Sequence, residues 1–253
     1  MVGVYVVLHL TAIGIMNGPI NRLCAPADNM EDCRALVNVY WATGSVMAWP
    51  MDGNTSMCSW DGVNCTSNST PRVTSLDLIN PHGAQPSGTI PSQIAGLEQL
   101  SYLALGAWTR YQNGTISGTL PTELGVLQGL NYLNAGANRL SGTLPSEISG
   151  LSSLNGLFLA SNKLSGTIPS KLFEIETLGN VVVENRISGT LPTEIGGLTN
   201  LWQLDINDRL SGTLPSEICD LVIFGDLDCL LKGNSFACPL PSCGARGCQA
   251  TCK

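Results

Sequence analysis

The sequence is poor in positively charged residues. It has 12 Lys and Arg against 19 Asp and Glu among 253 residues, so its net charge is −7. No stretch gathers Lys and Arg into a cluster, whereas binding to a nucleic-acid backbone depends on such clusters to release counterions. We therefore expect neither nucleic acid nor an anionic membrane surface as a partner.

The sequence also lacks the residues of a catalytic centre. It has two His: His9 stands in an apolar N-terminal segment and His82 in a Pro-rich loop, and nothing places a nucleophile beside either. No Gly-rich phosphate-binding motif occurs. We expect no enzyme, no cofactor and no metal site.

Cysteine is absent from the middle of the chain. The ten Cys stand at its two ends, a distribution typical of disulfide-bonded caps in an oxidising compartment. A zinc site is the weaker interpretation, because the C-terminal spacings are not those of common zinc sites and no His lies nearby. The pairing stays open. The ten are Cys24, Cys33, Cys58, Cys65, Cys219, Cys229, Cys238, Cys243, Cys248 and Cys252.

Long apolar runs are missing too. Residues 2–15 are mostly apolar, but a membrane span needs about 20 residues, so this run suits the core of a signal peptide. We predict a signal peptide over residues 1–27; if retained, the segment would be an N-terminal anchor. Four Asn-x-Ser/Thr sequons agree with a secreted protein, in the extracellular space, the cell wall or at the cell surface. They predict glycosylation at Asn54, Asn64, Asn68 and Asn113.

One five-residue motif recurs through the chain. Ser-Gly-Thr-Leu-Pro, with Ile replacing Leu in some copies, occurs six times at steps of 23 to 30 residues. A Leu-x-x-Leu-x-Leu pattern precedes the copies, most clearly at Leu154, Leu157 and Leu159. Repetition at this period predicts a solenoid of stacked coils. The copies begin at Ser87, Ser117, Ser141, Ser165, Ser188 and Ser211.

These units resemble the plant-type leucine-rich repeat, LxxLxxLxLxxNxLSGxIPxxLGxL, over residues 73–226, and residues 31–70 resemble its N-terminal cap. The resemblance implies an α/β fold, a right-handed leucine-rich-repeat solenoid with a parallel concave β-sheet and disulfide-stapled caps. It also implies a short second sheet on the flank that starts at Gly-Thr-Leu. The predicted domains are the signal peptide, an N-terminal cap (28–72), a solenoid of about six repeats (73–218) and a Cys-rich C-terminal cap (219–253).

An Asn follows the Leu pattern in the middle units. Asn138 and Asn162 stand five residues after the middle Leu, and Asn185 and Asp208 stand near the same place in the next two units. A buried turn must satisfy its backbone polar groups. We therefore predict that the Asn side chains bond backbone groups inside the coil.

The residues that face outward from the concave strands are the candidate binding surface. Aromatic residues lie in the middle coils and acids toward the ends, which is typical of a protein-recognition surface but also compatible with an ordinary solvated sheet. The candidates are Asp77, Tyr102, Tyr132, Asn134, Phe158, Val182, Glu184, Gln203 and Asp205. An insertion after the second strand adds Trp108, Arg110 and Tyr111, either as further contacts or as a cover for the core.

The third residue of every motif is Thr. We predict a straight Thr ladder on the flank at about 4.8 Å spacing, formed by Thr89, Thr119, Thr143, Thr167, Thr190 and Thr213. The leading hypothesis is a secreted recognition protein that binds a protein or glycan partner through its concave face. By resemblance it would be inhibitor-like, similar to the polygalacturonase inhibitors, or receptor-like or adhesive. The alternative is a structural or surface-binding solenoid that uses the Thr ladder, such as an ice-binding protein.

Overall fold

The structure, a computed structural model, describes residues 22–44, 47, 49–79, 85–106, 114–223, 228–242 and 248–250. Within these ranges no helix is both long and apolar enough to cross a bilayer. Several sequence predictions lie outside the described residues. They are the apolar leader with His9, the loop with His82, the insertion with Trp108, Arg110 and Tyr111, the sequon at Asn113, and Cys243 and Cys252.

Each coil contains a strand of the concave sheet, a strand of the flank sheet and, in most coils, a short 3-10 helix on the convex side. The strands are β1 (Val63–Cys65), β2 (Val73–Asp77), β3 (Ser87–Thr89), β4 (Tyr102–Ala104), β5 (Thr115–Gly118), β6 (Tyr132–Asn134), β7 (Arg139–Thr143), β8 (Gly156–Phe158), β9 (Lys163–Gly166), β10 (Asn180–Val182), β11 (Arg186–Gly189), β12 (Gln203–Asp205), β13 (Arg209–Gly212), β14 (Asp228–Leu230) and β15 (Ser235–Phe236). The α-helices are α1 (Met30–Ala42) and α2 (Ile218–Ile223). The 3-10 helices are Met57–Ser59, Ser92–Gly96, Thr122–Val126, Ser146–Gly150, Ser170–Glu174 and Thr193–Gly197.

The two sheets run along the whole solenoid. The concave sheet has the order β1-β2-β4-β6-β8-β10-β12-β14, and the flank sheet joins the odd-numbered strands from β3 to β15. All pairs are parallel except β1–β2. The parallel concave sheet and the second flank sheet are thus confirmed. Both sheets continue past residue 218, since β14 and β15 add one strand to each. In this added coil Cys229 and Leu231 occupy the places of the inward Leu residues and are buried.

Inward side chains fill the space between the sheets and the convex turns. The central residue of each concave strand lies opposite its equivalent in the next coil, with no slip in register. Period-2 alternation turns this residue inward, and burial of so many branched apolar side chains is the main stabilising contribution. The column consists of Leu76, Leu103, Leu133, Leu157, Val181, Leu204 and Cys229, all buried.

The turn Asn side chains bond the backbone inside the coil, as predicted. In Asn138, Nδ2 donates to the carbonyl oxygens of Leu105, Ala135 and Gly136, and Oδ1 accepts from the amide of Ile116. Asn162 repeats this arrangement one coil later. Each amide therefore ties the end of one concave strand to the preceding coil.

The Ser-Gly-Thr motif locks each coil to the one before it. The Ser141 hydroxyl donates to the carbonyl of Gly118 at 3.3 Å. A β-carbon at Gly142 would lie 2.8 Å from the γ-methyl of Thr119, and Gly142 has φ +80°, a conformation that favours glycine. The motif is constant because each of its three side-chain positions contacts the same motif in a neighbouring coil. The Gly–Thr packing recurs at Gly166, Gly189 and Gly212.

The flank strands differ from the prediction in two ways. They end at the Ser-Gly-Thr motif rather than beginning there, as β9 shows. The predicted spacing of the Thr ladder, about 4.8 Å, is wrong: Thr143 lies opposite Ser165, two residues before Thr167. A two-residue slip separates equivalent Thr residues by about 8 Å. The slip is the same between successive coils, so the six Thr form a regular oblique row, and all six are exposed.

Disulfides close both ends of the solenoid, as the distribution of Cys predicts. Cys24–Cys33 and Cys58–Cys65 lie in the N-terminal cap, and Cys229–Cys248 lies at the other end. Cys219 and Cys238 are also disulfide-bonded. Because Cys24 pairs with Cys33, removal of residues 1–27 would break this disulfide.

Helix α1 fastens the N-terminal cap to the first coil through a buried carboxylate. Asn29 caps the helix by accepting from the amides of Glu31 and Asp32. The Asp32 side chain, fully buried, accepts from Nε of Arg72 at 3.0 Å and from the amide of Val73 at 2.6 Å, and Nη2 of Arg72 forms an ion-pair contact with it at 2.9 Å. Because Val73 begins β2, this contact ties α1 to the first coil, whose 3-10 helix Ser92–Gly96 packs against α1.

Candidate ligand-binding face

Two outward rows cross the concave sheet on either side of the inward column. The nine predicted binding residues all lie in these rows, except Glu184, which follows β10. The first row is Ser75, Tyr102, Tyr132, Gly156, Asn180, Gln203 and Asp228. The second row is Asp77, Ala104, Asn134, Phe158, Val182, Asp205 and Leu230.

Three aromatic side chains form a continuous ridge at the middle of this face. The rings of Tyr102 and Tyr132 stack with centroids 4.7 Å apart and planes at 9°, and Phe158 lies 5.1 Å from Tyr132. Gly156 makes room for the ridge, since a β-carbon there would lie 2.8 Å from the Phe158 ring. The rings are half-buried. Because Tyr102 and Tyr132 cover each other's faces, the ridge presents ring edges rather than open faces to a ligand.

Burial of the ridge affects its titration. Burial raises the pKa of the Tyr132 phenol far above its usual range, and it raises the pKa of Tyr102 as well. Both phenols therefore stay neutral at physiological pH. The ridge is an uncharged, largely apolar feature of the concave face.

Two buried amide groups beside the ridge have polar atoms without a regular hydrogen bond. Asn134 is 1% exposed and its Oδ1 accepts from the amide of Gly136. Its Nδ2 makes no regular hydrogen bond among the described residues, but the Asn134 side chain interacts with the Tyr132 hydroxyl and lowers the pKa of that phenol against the larger effect of burial. Asn180 is 7% exposed, and its Oδ1 has no partner among the described residues. A buried polar group without a partner costs about 1–3 kcal/mol. Both atoms are buried, so a ligand could bond them only after neighbouring side chains move.

Acidic residues lie at both ends of the face. Asp77 stands on β2, where its Oδ1 accepts from the amide of Ile79 and burial raises its pKa. Glu184 and Asp205 stand at the opposite end and are half-buried, like Val182 and Gln203. The face therefore combines an apolar centre with negatively charged ends.

Sequence reasoning missed Trp202, which precedes β12. Its side chain is 57% exposed, and its Nε1 would lie 3.0 Å from a β-carbon placed on Gly179 in the preceding coil. Equivalent positions in other coils carry Ser101, Asn131 and Asn155. The Leu pattern marks the residues of the concave strands, and Trp202 lies outside that pattern because it immediately precedes β12.

The expectation that Lys and Arg form no cluster is wrong for the folded chain. The first residues of β7, β9, β11 and β13 are basic, exposed, and without an ion pair to any described residue. They follow the turn Asn or Asp at intervals of 23 or 24 residues, so stacking brings together what the sequence separates. This basic row is Arg139, Lys163, Arg186 and Arg209.

The remaining site predictions fall on the surface of the N-terminal cap. Asn54, Asn64 and Asn68 are exposed, and their glycosylation stays a prediction. Asn64 pairs with Ser75 on the antiparallel edge of the concave sheet. Within the described ranges no group of three or more His, Cys, Asp or Glu could hold a metal ion.

Comparisons with known proteins agree with this geometry. The family model "Leucine Rich Repeat" matches residues 129–151. No curated protein sequence matches the chain. The LRR ectodomain of the plant membrane receptor kinase GASSHO1/SCHENGEN3 from Arabidopsis thaliana, in complex with CASPARIAN STRIP INTEGRITY FACTOR 2, is 26% identical over 82% of this chain and 24% of its own, with a TM-score of 0.73. The chain folds as a plant-type leucine-rich-repeat solenoid.

Two further solved structures bear on the choice of function. The plant peptide hormone receptor RGFR1 in complex with RGF2 is 37% identical over 60% of this chain and 23% of its own, with a TM-score of 0.54. A plant ice-binding protein is 20% identical over 85% of this chain and 90% of its own, with a TM-score of 0.52, a likeness of fold alone. This leucine-rich-repeat solenoid spans about a quarter of the length of the two receptor chains.

Proposed function

We propose that this solenoid is an extracellular recognition module that binds an extended segment of a protein or peptide across its concave face. The observation that carries the proposal is the aromatic ridge with a buried donor and a buried acceptor beside it. Aromatic residues in a desolvated setting are the usual centres of binding energy at protein interfaces. The receptor ectodomains of the same fold, solved with their ligands, support a binding role rather than an enzymatic one.

The spacing of the two buried amide atoms suits an extended backbone. Asn134 and Asn180 lie on β6 and β10, two strands apart and in different rows, so their Cα atoms are about 12 Å apart. An extended chain covers that distance in about four residues, so a carbonyl on Asn134 Nδ2 and an amide on Asn180 Oδ1 would belong to one short segment that crosses the strands obliquely. The acids at both ends favour a ligand with basic flanks around an apolar centre.

Removal of the ridge tests this proposal. We expect Phe158→Ala to weaken binding about 30-fold, the effect of an interface centre worth about 2 kcal/mol, and the pair Tyr132→Ala and Phe158→Ala to abolish it. The measurement is affinity capture from the native extracellular medium, followed by a dissociation constant for each retained species. Val126→Ala is the matched control, since Val126 is a 62% exposed apolar residue on the convex side.

The test is valid only between variants that are as stably folded as the wild type. Melting temperatures identify any variant that binds poorly because it is unstable. A species retained equally by wild type and by the folded double variant would show that the concave face is not the binding surface. Loss with Val126→Ala alone would move the site to the convex side.

A glycan partner is the second candidate, and the basic row favours it. Four exposed cations in one line, on a chain with net charge −7, suit a linear polysaccharide that carries carboxylates. We expect binding to polygalacturonate but not to neutral dextran, with strong salt dependence. Lys163→Gln with Arg186→Gln should weaken it about tenfold, since exposed cations contribute below about 1 kcal/mol each. An equal loss with Lys171→Gln, a change of the exposed Lys on a convex 3-10 helix, would count against the row.

The ice-binding alternative has less support. Ice recognition by the Thr residues is expected from a closely spaced ladder, whereas the two-residue slip of the flank strands places equivalent Thr residues about 8 Å apart. The γ-methyl groups of several of these Thr residues also pack over glycines of the next coil. The similarity to a plant ice-binding protein concerns the fold.

A further inference from the structure

One coil carries an acid where its neighbours carry an amide. In the coils on either side, Asn185 and Asn234 place Oδ1 on a backbone amide of the preceding coil and Nδ2 on carbonyl oxygens at the ends of concave strands. Asn138 and Asn162 do the same earlier in the solenoid. Asp208 takes this place in the coil between Asn185 and Asn234.

The first carboxylate oxygen of Asp208 behaves like an Asn oxygen. It accepts from the amide of Ile187 at 3.0 Å and from the amide of Asn185 at 2.9 Å. The side chain is 6% exposed. Through this one oxygen, Asp208 bonds the backbone of the preceding coil as the oxygen of an Asn side chain would.

The second oxygen of Asp208 is the difference. Oδ2 is buried and has no hydrogen-bond partner among the described residues. In the neighbouring coils the atom at this place is a donor that faces carbonyl oxygens. An ionised carboxylate can only accept, whereas a protonated one carries an O–H that can donate as Nδ2 does.

The charges near Asp208 do not offset its burial. Glu184 and Arg186 lie on the preceding coil, Asp205 and Arg209 on the same coil, and Lys232 on the next. Burial is the largest cause that raises the pKa of Asp208, from 3.8 to about 6; Glu184 raises it further, while the two backbone amides and Arg209 lower it.

We propose that Asp208 is a proton-operated clasp: protonation of Oδ2 completes the series of turn hydrogen bonds and tightens the last coils of the solenoid in mildly acidic surroundings. The sign follows from linkage. The folded state holds the proton below about pH 6 and the unfolded state only below about pH 3.8, so stability rises as the pH falls from about 7 to about 4 and levels off at lower pH.

Hydrogen exchange measures the clasp directly. The amide of Leu210 donates to Asn234 in the coil that follows Asp208, and it exchanges when these coils open. Corrected for the intrinsic exchange rate, its opening constant should fall about 25-fold between pH 7.5 and pH 4.5, the effect of a carboxyl group whose pKa is about 6 in the closed state and 3.8 in the open state. In Asp208→Asn the constant should stay low across this range.

Two further results decide the matter. Asn162→Asp, which places an acid in the equivalent site of the middle coil, should give the amide of Leu140 the same pH dependence. A carboxyl titration of Asp208 by NMR should have its midpoint near 6. Equal pH profiles for wild type and Asp208→Asn, no new pH dependence in Asn162→Asp, or a midpoint at or below 4 would each overturn the proposal.

Discussion

Replacing Asp32 by Ala should lower the free energy of unfolding by about 3 kcal/mol, because breaking a buried ion pair leaves the remaining charge without compensation. The guanidinium of Arg72 would lose one charge-assisted hydrogen bond and a close ion-pair contact, and the amide of Val73 would lose its acceptor. The cost should appear as detachment of α1 from β2. Denaturant unfolding of the oxidised protein measures it.

Glu98→Ala is the matched control for this prediction. Glu98 is the second carboxylate near Arg72, but its oxygen lies 3.5 Å away and its side chain is 64% exposed. Its removal should cost less than about 1 kcal/mol. The account of the N-terminal cap is wrong if Asp32→Ala is as mild as Glu98→Ala.

Gly142→Ala should lower the free energy of unfolding by about 2–3 kcal/mol. A left-handed backbone costs an L-residue about 1–2 kcal/mol. The new methyl group, 2.8 Å from the γ-methyl of Thr119, adds a packing clash. Thermal or denaturant unfolding gives the value, and Thr119→Ser should recover the part that is due to the clash.

Gly197→Ala provides the comparison within the same solenoid. Gly197 has no positive φ and nothing within 4 Å of a β-carbon, so the change should lie within about 0.5 kcal/mol of wild type. Equal effects at Gly142 and Gly197 would mean that the motif does not lock neighbouring coils.

Much of the architecture could be predicted from the sequence because it is repeated. The inward Leu column, the turn Asn and the concave face can be placed from the spacing of Leu and Asn within one unit. The other units have the same spacing, so each supports the same placement. The register of the flank strands does not follow, since Thr143 and Thr167 occupy equivalent places in the sequence whether or not their strands slip.

The candidate site could be predicted only in part, for a related reason. Tyr132 and Phe158 are visible as outward residues, but their stacking over Gly156 depends on side-chain conformations. The basic row escaped notice because its members are 23 or 24 residues apart, and a search for charge clusters looks at neighbours in sequence. Asp208 was recognised as a replacement for Asn, yet the isolation of Oδ2 depends on burial.

The lock between Ser-Gly-Thr motifs has a consequence for how such a chain changes length. Through its Ser, Gly and Thr side-chain positions each internal motif contacts the motif before and the motif after it. Deleting or duplicating one whole unit would therefore leave each remaining Gly opposite a Thr and each Ser near a Gly carbonyl. Recombination between units could therefore lengthen or shorten the concave surface without changing the contacts between neighbouring motifs. An insertion within a motif would instead disrupt its contacts with both the preceding and the following motif.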